Sequence, residues 1–82
     1  MNNDTSPCRP MWIILELADD SFRKQAYVKV LAVMQEMGGR VVQDRSVFDV
    51  VVVAKFQHRK YKAVEKAVAE AVSTLPVKRT TV

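Results

Sequence analysis

This chain of 82 residues holds one cysteine, one histidine, one tryptophan and two glycines. A lone Cys8 cannot form an internal disulfide, which fits a reducing compartment or indifference to redox. A nucleophilic Cys8 would need a basic or helix-terminal setting that the N-terminal stretch does not offer. His58 has no cysteine or second histidine at metal-ligand spacing, and no Ser-His-Asp set is indicated around it. No Gly-rich phosphate loop, zinc-ligand pair or EF-hand loop is present. No apolar stretch approaches the ~20 residues that span a bilayer. No cationic segment running into a long apolar stretch opens the chain. The expectation is a soluble cytoplasmic protein with no membrane association, no metal, no cofactor and no catalytic set.

What the chain does contain is apolar and basic. Hydrophobic residues make up 49% of it, enough for a folded domain rather than a disordered segment. The length allows one small domain. Cores of this size are marginal alone and are often completed by oligomerisation. Thirteen basic residues against nine acidic ones give a net charge of +4 and a pI near 9.5. That excess permits weak attraction to nucleic acid or to acidic partners without requiring either.

The segment Phe48-Asp-Val-Val-Val-Val-Ala-Lys-Phe56 is the strongest structural signal. β-branched and aromatic residues favour a packed, pleated strand, and an apolar run this long reads as a strand covered on both faces. Around it the pattern predicts a flexible tail over 1–10 and a single domain over 11–82. Met11–Leu17 is a strand with Met11, Ile13, Leu15 and Leu17 in one phase. Asp19, Asp20 and Ser21 are helix N-cap residues. A helix follows over about Ser21–Met37, with Phe22, Ala26, Val30, Val33 and Met37 on one face and Gly38 and Gly39 at its end. Arg40–Val47 and Phe48–Phe56 are strands. Arg59–Thr74 is a second helix, stopped by Pro76. Val77–Val82 is a short last strand.

Strand, helix, strand, strand, helix, strand is the order of an α+β, ferredoxin-like split βαβ sandwich. Right-handed crossovers put both helices on one face of an antiparallel sheet, with the first and third strands central. Alternation then directs Leu15 and Val52 toward the helices, where they form a core with Val30, Val68 and Val72. Trp12, Ile14, Val51 and Val53 face the other way as an apolar patch. Such patches mark interfaces, and a second copy packed sheet to sheet is the simplest cover. A homodimer, or a complex with a different protein through the same surface, is therefore expected.

Arg59, Lys60 and Lys62, with His58, stand at the start of the second helix, where positive charge opposes the helix dipole. A bound anion would relieve that conflict. Lys78 and Arg79 are placed on the same rim by this reading. Domains that recognise RNA share the element order and stack bases on aromatics of the two central strands. Here Trp12 is one candidate ring, but the third strand offers Val51 and Val53 where aromatic platforms are expected, and Phe48 and Phe56 belong to the other face by alternation.

Gly38-Gly39-Arg-Val-Val, Phe48-Asp-Val-Val-Val-Val and the ending Leu75-Pro-Val-Lys-Arg-Thr-Thr-Val82 resemble the dimeric α/β-barrel group. The resemblance is to GYD-family proteins and to the effector-binding domains of Lrp/AsnC-type regulators, and it covers about residues 11–82. Phe48 stands where tyrosine is common there, and no glycine separates Pro76 from Val77. The resemblance implies a ferredoxin-like fold and dimerisation through the sheet. Three function classes remain. The first is a non-enzymatic regulatory or interaction module that binds a protein partner or small effector, a small inhibitor protein among them. The second is a nucleic-acid binder using the basic rim. The third is a small dimeric-barrel enzyme, whose chemistry would sit between sheet and helices and which a buried His, Asp or Glu in a cleft would favour.

Overall fold

A computed structural model describes residues 8–82. Residues 1–7 of the expected tail lie outside the described residues, and Cys8 is exposed. The domain is the α+β, ferredoxin-like sandwich. Its strands are β1 (Arg9–Leu17), β2 (Arg40–Arg45), β3 (Val50–Phe56) and β4 (Val77–Thr81), and its helices are α1 (Arg23–Glu36) and α2 (Tyr61–Ala71). The antiparallel sheet runs β2-β3-β1-β4, so β3 and β1 are central. A single 3-10 turn leads into each helix, at Asp20–Phe22 and at His58–Lys60.

Strand β1 starts two residues before the expected Met11. Pro10 is accommodated there because β4 ends opposite Ile14, which leaves the first part of β1 with a neighbour only on the β3 side. A residue without an N–H is tolerated at such an edge. Strand β3 starts two residues after the expected Phe48. Ser46–Asp49 forms the tip of the β2–β3 hairpin instead, with Phe48 89% exposed. Two contacts fix that tip. Arg23 Nε donates to the Ser46 carbonyl at 2.8 Å, and Arg45 pairs with Asp49 at 3.4 Å.

The core lies between the sheet and both helices. Met11, Ile13 and Leu15 of β1 and Val50, Val52, Ala54 and Phe56 of β3 meet Ala26, Val30 and Met34 of α1 and Val64, Val68 and Val72 of α2. The five expected core residues, Leu15, Val30, Val52, Val68 and Val72, are all at most 4% exposed. Among the described residues no polar or charged side chain is buried.

The 3-10 turn that leads into α1 and the far end of α1 are each fixed by specific chemistry. Asp19 accepts from the Ser21 backbone N–H at 2.9 Å and from its hydroxyl at 2.8 Å. These bonds favour the carboxylate, so Asp19 is held below the ordinary carboxylate range. Asp20 pairs with Arg23 at 3.0 Å. At the far end Gly38 takes φ 87°, a left-handed value that glycine adopts without strain. Gly39 is needed for space: a Cβ there would overlap the Phe56 ring and the Met34 carbonyl oxygen. The glycine pair thus ends α1 and lets β2 start against β3.

Two outcomes follow for stability. Gly39→Ala should cost about 1–3 kcal/mol through forced displacement of Phe56, read as a lower urea midpoint with unchanged slope. Asp19→Ala should lower the Tm at neutral pH. The Asp19 pKa is lower in the folded state than in the unfolded one, so its contribution is present above the unfolded value and lost as pH falls through the folded one. The Tm gap between wild type and variant should therefore close on acidification. A gap that persists in strong acid would show that Asp19 acts through packing.

Candidate functional site: the open sheet face and the cationic end

The helices cover one face of the sheet, and strand register fixes what the other face presents. Same-face residues fall into four rows across the strands. Arg40, Lys55 and Pro10 form the first row, and Gln43, Val53 and Trp12 the second. Arg45, Val51, Ile14 and Thr81 form the third. Asp49, Glu16 and Arg79 close the face, with Glu16 opposite Arg79. A bulge at Val42 keeps Gln43 and Arg45 on this face, which simple counting from Arg40 would have put on the other.

The sequence-derived patch is brought together: Trp12 pairs with Val53 and Ile14 with Val51. Its exposure is uneven. Trp12 is 47% exposed and Ile14 partly buried, but Val51 and Val53 are each only 2% exposed. Their cross-strand neighbours are the longer side chains of Trp12, Ile14, Gln43 and Arg45, and long flanking stems cover short valines on a central strand. The surface available to a partner is therefore a tryptophan and an isoleucine bordered by Arg40, Arg45, Lys55 and Arg79.

The expected basic rim is not one surface. β3 ends, and α2 begins, where β1 starts: Phe56 lies opposite Arg9, and Tyr61 Oη donates to the Arg9 carbonyl at 3.1 Å. Arg59, Lys60 and Lys62 belong to that end. Lys78 and Arg79 lie at the other, where Arg79 faces Glu16 and Lys78 pairs with Glu16 at 3.6 Å. Seven residue steps along β1 take Arg9 to Glu16, which at ~3.3 Å per step is about 23 Å. Residues that sequence reasoning left out take the place of Lys78 and Arg79. Arg9 opens β1, and Arg40 and Lys55 are direct cross-strand partners on the open face. Their signal was the strand register, which places two cations side by side.

Within this end Lys60 has a structural task. Its Nζ donates to the Met37 carbonyl at 3.3 Å, at the negative end of α1. Arg59 Nε donates to Gln57 Oε1 at 2.8 Å. His58 is exposed and its ring lies 5.2 Å from that of Tyr61, tilted by 49°. Elsewhere, a groove of about 300 Å3 between α2 and β4 has Val72, Leu75 and Val77 on its floor. Its polar lining is Ser73, Lys78, Arg79 and Thr80, with no carboxylate or imidazole to act as a base. Among the described residues no group of three His, Cys, Asp or Glu converges as a metal site. Among them, too, no helix is long and apolar enough to cross a membrane.

Comparison with protein-family models, curated proteins and solved structures found no match for this chain. The ferredoxin-like arrangement therefore stands on the fold itself, and the likeness to GYD and Lrp/AsnC domains on the short motifs alone.

The two lysines at the start of α2 should separate by mutation. Lys60→Met removes the bond to Met37 and should cost about 0.5–1.5 kcal/mol in chemical denaturation. Lys62→Ala, an exposed change without such a bond, should stay within about 0.5 kcal/mol. Equal losses would mean that Lys60 does not serve as a cap for α1.

Proposed function

We propose that this protein is a non-enzymatic interaction module, regulatory in character, that works through the open face of its sheet and associates there first with a second copy of itself. The observation that carries the reading is Trp12, left 47% exposed at the centre of a sheet face that no helix covers. Large aromatics bury roughly 150–250 Å2 when fully covered. Covering the open half of this ring is worth about 2–3 kcal/mol at ~25 cal/mol per Å2. Tryptophan and arginine are among the residues most enriched where binding energy concentrates, and Arg40, Arg45 and Arg79 lie on the same face as the ring. Packing sheet on sheet is also the arrangement implied by the family resemblance. A different protein with a matching apolar centre would use the same face.

The chain's one tryptophan sits in the proposed interface, so its emission reports on that face alone. On this reading, sedimentation gives a dimer whose dissociation on dilution is matched by a red shift of Trp12 emission. Ile14→Lys should shift the equilibrium to monomer by tenfold or more while helix content is retained. A monomer at high micromolar concentration, with emission independent of concentration, would remove self-association as the use of this face.

A further inference from the structure

The net charge of +4 is not spread over the molecule. Arg9, Arg40, Lys55, Arg59, Lys60 and Lys62 all gather at the end where β1 and β2 start and β3 gives way to α2. The acids on the adjoining helix turns are Glu36 and Glu65, and Lys66 stands beside the second. Glu16, Asp19, Asp20, Asp44 and Asp49 lie at or toward the opposite end. The ion pairs Arg23–Asp20, Arg45–Asp49 and Lys78–Glu16 are at that opposite end as well. Arg40 and Lys55, by contrast, are direct cross-strand partners of like charge, an arrangement that destabilises a sheet unless something anionic lies across it.

We propose that this cationic end binds single-stranded nucleic acid. A phosphodiester chain supplies repeated negative charge at a spacing that Arg40, Lys55 and Lys62 can follow, with Arg9, Arg59 and Lys60 adding to the field. Aromatic rings border the patch: the exposed His58 lies at its edge against Tyr61. Flat rings beside a cationic track accept unstacked bases, which only a single strand offers. The cations come from strand ends and a helix start rather than from one helix face that would lie along a duplex groove. The proposal does not depend on self-association: Arg59 and Lys62 lie off the open face.

The test is fluorescence anisotropy with a labelled oligothymidine of about 12 nucleotides, a length within the usual range for single-strand sites. A mixed-sequence duplex of the same length is the comparison. Single-strand binding should weaken about 30-fold between ~50 and ~200 mM salt, for three to four phosphates neutralised at a slope of roughly −0.7 each. Arg40→Ala/Lys55→Ala/Lys62→Ala should lose tenfold or more without a lower Tm. Arg59→Ala/Lys62→Ala, which leaves the sheet untouched, should weaken binding while the sedimentation behaviour stays as in wild type. Lys78→Ala/Arg79→Ala, at the opposite end, should bind like wild type. Absence of binding at low salt, or equal loss in the Lys78/Arg79 variant, would overturn the proposal. So would tighter binding of the duplex, or displacement of the oligonucleotide by polyglutamate at equal charge concentration.

Discussion

The pairing of β3 with β1, in register from Arg9 opposite Phe56 to Leu15 opposite Val50, sets the position of every other part of the domain. Both strands are hydrogen-bonded on their two sides over part of their length, and they supply most of the buried apolar surface. A slip of one residue would exchange the faces of β3. Asp49 and Lys55 would then enter the layer against α1 and α2, and no repacking of the valines could offset the burial of unpaired charge. The register is thus held by what it excludes. It also decides which side chains share the open face, so the functional reading depends on the same alignment.

Electrostatics and packing divide the molecule in different directions. Packing separates it into layers, with an apolar seam between sheet and helices and a mixed face outside. Charge separates it along the strands, with matched pairs at one end and accumulated cations at the other. The Lys60 bond to Met37 shows that part of this positive charge also serves the fold, by meeting the negative end of α1. That is why the basic residues at the start of α2 are not interchangeable.

Much of this was legible in the sequence, because the strongest signals were of the kind that local pattern carries. The run Val50–Val53 announced a central strand, the α1 and α2 stripes announced helix faces, and Gly38–Gly39 marked the break between α1 and β2. Strand ends were less legible. Phe48 looks like strand by composition, but it sits at a hairpin tip because Arg23 and Arg45 fix the turn before and after it. The site was half legible. Alternation identified Trp12, Ile14, Val51 and Val53, but not that long flanking side chains already cover the two valines. The cationic end was hidden because Arg9, Arg40 and Lys55 are distant in sequence and meet only through register. Lys78 and Arg79 were drawn to the wrong end for the same reason: composition reports charge, not the direction in which a strand runs.

Strand β4 covers β1 only from Ile14 to Leu17 and carries an irregularity between Glu16 and Leu17. Its side chains are exposed or, at Val77, partly buried. It is thus held by a short ladder and little packing, while β1 and β3 share the long one. Cooperative structure of that kind does not open uniformly. Amide protons of β4 should exchange with solvent through local detachment, long before those of Val51 or Val53 exchange through global unfolding. The three remaining strands would keep the core sealed during each such excursion, and the outer side of β1 would be laid bare along its whole length.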